Sequence, residues 1–564
     1  MISRRAFLAG AAASFTLPIP ALARQSSFAL RASEDRPETL YNGITLGRPW
    51  PPEWRYAEEH PTVPPYLADR PAVVPIDIGR QLFVDDFLIE QTTMSRAFHK
   101  AAYHPASPIL KPEHDWETYD DVATRTNKPP NPAAMVFSDG VFFDPKDRVF
   151  KMWYMAGYGG GTCLALSHDG ITWQKPLLDA VRKGTNLVHR APRDSNTVWL
   201  DQFTREAAQR FKMAYWHDHN LQLAVSPDGV HWSEIGETGR AGDRSTFFFN
   251  PFRRQWVFSV RADQFAVQSQ SGRFRRYWES PDFARAVDWN ARAPVAWVKS
   301  DSRDPDRPDG GRPELYTLDC VGYESLMLGL FTIWRGETLL REKINEVTVG
   351  FSRDGFHWHR PDRSTFMGVS DTEGAWNWAN VQSAGGCCVI VGDNLYFYVS
   401  GRQGRPGTAD PGVCTTGVAV LRRDGFASMD WLPGEGGIVR GRVAPNASGT
   451  LTTRPIRFSG GHLFVNGDFT RGELRVEVLD KSGAVIAPFT FEAAAPVTGN
   501  GTRLAVNWTG AHLSDLAGRE VRFRFSVTRG RLFSFWVSAT PTGESGGYPA
   551  AGGPEFSGPI DARP

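Results

Sequence analysis

Residues 164–173 read LALSHDGITW, and the pattern returns as LAVSPDGVHW at 223–232 and VGFSRDGFHW at 349–358. Each copy is an alternating apolar run, a Ser-x-Asp-Gly step and a second short run ending in Trp, which is the grammar of strand, tight turn and strand. Looser echoes stand at 279–283 (ESPDF, with Trp289 downstream) and at 418–426 (VAVLRRDGF), making five units. Units of this spacing, each with several strands and no convincing amphipathic helix, predict a β-propeller. The expected fold is all-β, with a five-bladed β-propeller over 79–435 and a C-terminal β-sandwich over 436–541, where runs such as 451–458 and 521–527 alternate apolar with polar between Gly, Asn and Asp turns.

The flanks read differently. Arg4-Arg5 precedes a small-residue apolar run closing on Ala21-Leu22-Ala23, so 1–23 is expected to be a twin-arginine-type signal peptide. Its apolar core is too short for a membrane span, which predicts a periplasmic or secreted chain. Residues 24–78 are rich in Pro, Arg and Glu and read as an irregular arm on the main domain. Asp85 and Asp86 follow on a strand, where a structural role at the chain entry is favoured over catalysis. The Gly/Pro-rich residues 542–564 are expected to be a flexible tail.

A formal net charge of +1 excludes the clustered basic surface that nucleic acid demands. The 19 Trp suit stacking on sugar rings as well as propeller packing, and Trp376 and Trp378 are nominated as substrate-binding residues with Arg244 and Arg261. The five Cys show no zinc-ligand spacing and read mostly as buried thiols. His217 and His219 lack a third metal ligand, and no cofactor is expected. The acidic loop Asp304-Pro305-Asp306 with Asp309-Gly310 is a candidate for a structural calcium ion, with a solvated loop the favoured reading.

The first strand of each blade enters beside the central axis, so residues just ahead of these strands converge on one mouth. GVFFD (140–144), TVWLD (197–201) and TFFFN (246–250) are the first three such strands, and ahead of them stand Asp139, Asp194 and Asp243. An Asp before Gly or Ser is a turn residue by default. Three in equivalent positions instead suggest the carboxylate set that glycosidic hydrolysis needs, with one group protonating the leaving oxygen and another acting at the anomeric carbon.

With these residues in place, the chain from about 81 to 540 resembles the five-bladed propeller glycosidases of glycoside hydrolase families 32 and 43. Their blades commonly end in Ser-x-Asp-Leu-x-x-Trp, where this chain has Ser-x-Asp-Gly-x-x-Trp. The resemblance implies that Asp139 is the base or nucleophile. Arg193-Asp194-Ser195 is similar to the family 32 Arg-Asp-Pro motif, whose Asp orients the sugar and stabilises the transition state. Asp243 occupies the site where the family uses Glu as general acid, and its shorter reach keeps Glu279, Glu314 and Glu324 open as the acid. Glu324 is carried among the catalytic candidates although it follows Gly-Tyr at a hairpin that places it at the far end of its blade. The functional expectation is a glycoside hydrolase acting on an oligo- or polysaccharide of plant, algal or microbial origin. The alternatives are a non-catalytic carbohydrate-binding propeller, a sialidase-like enzyme, for which five units are too few, or a lyase-like enzyme, for which the sequence marks no His or Tyr base.

Overall fold

The computed structural model describes residues 37–562, apart from 53–60, 62, 121–128, 191–192, 265–270, 291–292, 339–340, 342, 409 and 432–447. The Arg4-Arg5 segment lies outside the described residues. The repeated motif explains why blades form. In the copy at 167–173 the Ser167 hydroxyl accepts from the Gly170 N–H at 2.8 Å, and Asp169 Oδ1 accepts from the N–H groups of Ile171 (2.8 Å) and Thr172 (2.7 Å). Gly170 sits at φ 77°, a left-handed conformation that a side chain disfavours. The copies at Ser226-Asp228 and Ser352-Asp354 repeat these bonds.

These bonds also correct the sequence reading. The Asp side chain takes the N–H groups after the glycine, so 171–173 bends instead of pairing as a fourth strand. The outer strand of that blade is Leu187–His189. Each turn also ties one blade to another. Trp153 donates its indole N–H to the Gly229 carbonyl at 2.8 Å, Trp297 to Phe356 at 2.7 Å, and the Tyr398 hydroxyl donates to Gly170 at 2.9 Å. The repeat is therefore the joint between blades.

Five antiparallel sheets surround the axis. Blade one contains Ala134–Met135, Val141–Asp144, Val149–Ala156, Gly161–Ser167 and Leu187–His189. Blade two runs from Asn196–Leu200 to Ser233–Arg240, and blade three from Thr246–Asn250 to Val295–Val298. Blade four has Glu314–Glu324, Leu326–Trp334 and Asn345–Ser352. Blade five begins with Asn380–Ser383 and Val389–Val391, continues through Asn394–Arg402 and Cys414–Arg422, and is completed by Ala102–Tyr103 from the N-terminal side of the chain. That last pairing closes the ring. All five cysteines are buried free thiols.

The β-sandwich draws on both ends of the chain. The 18-residue strand His462–Leu479 pairs with Gly530–Ser538 along its first half and with Arg522–Thr528 along its second. Gln81–Leu82, Ile89–Thr92 and Ser95–Phe98 join the same sheet, so 81–98 belong to the sandwich and not to the propeller. The arm joins its core through buried Leu40, Ile44, Tyr66, Val74 and Ile76. Phe458 and Phe464 are buried as well. Asp85 is sealed against Arg353 of blade four, with Nε and Nη2 each donating at 2.8 Å, a pin between sandwich and propeller.

The C-terminal residues up to Ala562 are not a flexible tail. Tyr548–Pro549 pairs with the end of Glu314–Glu324, the Phe143 N–H donates to the Ala551 carbonyl at 3.0 Å, and the Ile390 N–H donates to Gly552 at 2.9 Å. The segment thus bridges the ends of first strands from three blades. Its glycines serve close approach: a Cβ on Gly553 would lie 2.0 Å from the Ile390 carbonyl oxygen. Deleting the chain from Thr542 onward would uncover this face and remove Ser545 and Asp561 from Glu324 and Arg423. Its expected effect is a lower midpoint of thermal unfolding, followed by circular dichroism. A truncated chain melting with the full-length protein would contradict this role.

Candidate active site

At the mouth, first strands begin and second strands end, and both positions contribute. Asp194 precedes the first strand of blade two, Arg244 that of blade three, and Tyr316 lies near the start of Glu314–Glu324 in blade four. Tyr158 follows the second strand of blade one, and Arg402 ends that of blade five. One residue from each of the five blades therefore meets here. The Asp194 carboxylate bears on the pKa of all of Tyr158, Arg244, Tyr316 and Arg402, as the leading charge for Arg244 and a lesser one for the others.

The Phe137 ring lies at the centre of this group. The Arg244 guanidinium carbon lies 3.6 Å from its centroid and that of Arg402 lies 5.2 Å away, while Arg402 is also 5.3 Å from the Tyr158 ring. Arg244 is held by the Phe137 carbonyl (3.0 Å) and the Ser138 hydroxyl (2.9 Å). Burial, the dominant influence, lowers its pKa. Tyr316 behaves unusually for a buried phenol. Burial pushes its pKa up, but Lys343, Arg402 and Arg244 outweigh that and bring it below the ordinary tyrosine value. Tyr158 is pushed by burial up to about 12 and keeps its proton.

Asp194 is half-buried, and its Oδ1 is buried with no hydrogen-bond partner among the described residues. Asp139 differs. It is 0% exposed, with Oδ1 accepting from Arg193 Nη2 (2.8 Å) and Asn196 Nδ2 (3.2 Å) and Oδ2 from the Phe137 N–H (2.9 Å). Burial raises its pKa to about 6, against the pull of Arg193. Asp139 is thus sealed, and it is linked to Asp194 through Arg193. Asp243 is on the mouth side, one-third exposed and ion-paired with Arg261.

The other candidates separate by face. Glu314 lies on the mouth side, paired with Arg273 at 2.6 Å. Glu324, carried from the sequence as catalytic, stands at the opposite end of the same strand and is corrected to a structural residue. It is 0% exposed, accepts from Arg423 (2.8 Å), the Ser545 hydroxyl (2.7 Å) and the Arg80 N–H (3.1 Å), and seats the C-terminal segment. Glu279 is also far from the mouth, tied to Arg253 and Tyr277. The acidic loop is spoken for: Asp304 pairs with Arg360 and Asp309 with Arg307. Among the described residues, no group of three His, Cys, Asp or Glu side chains is placed to hold a metal ion.

Trp378 is buried and offers no platform to a sugar, whereas Trp376 is half-buried and packs one face into the fold. Trp378 is 3% exposed under Arg341, and the Trp376 indole lies across Gly401 and Gly417, where an added Cβ would come within 2.2 Å of the ring. Both glycines are small because that ring needs the room. Trp376→Ala is expected to destabilise the fold by about 3 kcal/mol, read by chemical denaturation, without a specific loss of saccharide affinity in the folded protein.

Sequence reasoning missed Tyr158, Tyr316, Arg402 and Asp319. Asp319 is buried mid-strand in blade four and accepts from the Ser383 hydroxyl (2.6 Å) and the Ser138 hydroxyl (3.4 Å), with burial raising its pKa. A charge inside the apolar run LYTLDCVGYE was the available signal for it, and the ends of second strands were the signal for Tyr158 and Arg402.

No family model matches the chain, and no curated protein does either. Among solved structures it is similar to an N-acetylgalactosamine deacetylase from F. plautii at 12% identity and TM-score 0.36, covering 56% of this chain and 97% of that one. It is also similar to a thermostable family-43 glycoside hydrolase at 11% identity and TM-score 0.38, covering 56% and 99%. A third, a glycosyl hydrolase from Bacteroides ovatus, stands at 12% identity and TM-score 0.33, covering 61% and 97%. The five-bladed architecture itself rests on the strand pairing described above.

Proposed function

We propose that this chain is a carbohydrate-active enzyme that cleaves glycosidic bonds in the axial funnel. The observation that carries the proposal is the meeting of Asp194, Tyr158, Tyr316, Arg244 and Arg402 from five blades at one mouth. Hydrolysis commonly uses two carboxyl groups at the scissile bond, and Asp194, Asp243 and Glu314 are the sequence candidates on the mouth side that are not sealed from solvent. Asp194 is assigned to act at the anomeric carbon. Asp139 is a positioning residue that acts through Arg193. A periplasmic or secreted location, expected from Arg4-Arg5, belongs to the same proposal.

A panel of polysaccharides and aryl glycosides, with reducing ends and released phenol as readouts, tests it. Turnover on one member is expected. Absence of cleavage across the panel, together with saccharide binding, would favour the non-catalytic carbohydrate-binding propeller.

Tyr316 favours one second reading, elimination. A phenol held below its usual pKa by Lys343, Arg402 and Arg244 is suited to take the proton α to a sugar carboxyl. The C–O bond to the leaving sugar then breaks, a C=C bond forms in the acidic sugar, and the leaving oxygen takes up a proton. The two readings are separated by the product, because elimination gives an unsaturated uronate that absorbs in the ultraviolet and consumes no water.

A further inference from the structure

The charges around Phe137 do not cancel. Arg402 is 4% exposed, yet among the described residues its guanidinium has no carboxylate within ion-pair distance and no hydrogen-bond acceptor, only the faces of Phe137 and Tyr158. Its Nε is buried without a partner. Arg244, 1% exposed, likewise has no carboxylate partner: its bonds go to a carbonyl and a hydroxyl, and its Nε is also unpartnered. Three other buried arginines each face a carboxylate. Arg353 faces Asp85, Arg360 faces Asp304, and Arg193 faces Asp139. Two buried guanidiniums sharing one aromatic ring with no carboxylate in ion-pair contact are costly, since desolvation of each charge is only partly compensated.

Lys343 adds a third cation, 6.0 Å from the Tyr316 ring. Asp194 is the carboxylate that acts on both Arg244 and Arg402, and Asp319 acts on Arg244 as well. Asp139 is used up on Arg193, and Asp319 is turned to Ser383 and Ser138.

We propose that Arg244 and Arg402 form an anion subsite beside Phe137 in the funnel, taking an oxyanion carried on the saccharide: the carboxylate of a sugar acid, or a sulfate or phosphate ester. Guanidinium forks match such oxygens in pairs, and low-dielectric surroundings strengthen the contact. The inference rests on the funnel being a saccharide site, and it narrows the substrate to acidic glycans. It also gives Tyr316 its place, beside the position an acidic substituent would occupy.

The test is calorimetric titration of the full chain at low salt with glucuronate, glucose 6-sulfate, glucose 6-phosphate and glucose. At least one charged sugar is expected to bind tenfold or more tightly than glucose, and the one that does identifies the oxyanion. That preference should vanish in Arg402→Gln and survive in part in Arg402→Lys, with thermal unfolding confirming that both variants fold. If no charged sugar outbinds glucose, or if Arg402→Gln keeps the whole preference, the subsite is wrong. Undiminished cleavage of a neutral glycoside by Arg402→Gln, with no charged-sugar preference, would overturn the subsite and leave the glycosidase standing. A charged-sugar preference lost in Arg402→Gln, with no cleavage of any glycan, would leave the subsite and overturn the glycosidase.

Discussion

Asp194→Asn lowers turnover at least about 100-fold, the scale of one acid–base or nucleophilic carboxylate, and leaves the fold intact. The second half of that expectation follows from geometry. Asp194 Oδ1 accepts no hydrogen bond among the described residues, so an amide in its place disrupts no acceptor there. Arg244 and Arg402 lose their one shared carboxylate, so affinity for an anionic ligand rises while chemistry stops. Single-turnover rates and thermal unfolding of the same preparation read both effects. Asp139→Asn behaves differently. Both of its oxygens accept, from Arg193 and Asn196 on one side and the Phe137 N–H on the other, so an amide sets N–H against N–H and costs about 1–3 kcal/mol. Asp139 also makes stability depend on pH. With its folded pKa raised by burial to about 6, its contribution is fully present below the unfolded value and is lost as pH rises through about 6.

The largest stability effect is expected at the joint between sandwich and propeller. Arg353→Met leaves Asp85 buried with only the Phe87 N–H, and breaking such a pair costs about 3–5 kcal/mol. The sign of the acid response reverses with it. In the native protein Asp85 is held below its ordinary pKa: burial opposes its charge, and Arg353 overcomes the burial. Its contribution is therefore present above about 4 and lost as pH falls through the folded value. Without Arg353, burial outweighs the Phe87 N–H and His359 and raises the pKa of Asp85, so the variant gains relative stability on acidification. Urea midpoints for both proteins across that range measure the crossing. Parallel curves would show that Arg353 is not what holds Asp85 ionised.

The blades were legible because Ser-x-Asp-Gly turns recur and apolar alternation marks each strand. The closure was not. Ala102–Tyr103 is a two-residue strand, too short to leave a period, and Gln81–Leu82 gives no sign that its partner lies at 534–535. Residues 542–562 read as flexible because Gly and Pro dominate them, whereas the glycines are there so that backbone can pass against backbone, as at Gly553 and Ile390. At the site, looking ahead of first strands found Asp139, Asp194 and Asp243. That rule is blind to depth along the axis, so it ranked sealed Asp139 level with half-buried Asp194. It is also blind to the ends of second strands, where Tyr158 and Arg402 stand.

Substrate is expected over Phe137, among residues from all five blades. A crystal structure of Asp194→Asn soaked with an oligosaccharide that carries the oxyanion found in the binding series would locate it. A sugar ring is expected between Tyr158 and Tyr316, with its acidic group on Arg244 and Arg402 and its glycosidic oxygen beside residue 194. An oligosaccharide bound on the sandwich, or at the face covered by residues 548–553, with the funnel empty, would contradict this placement.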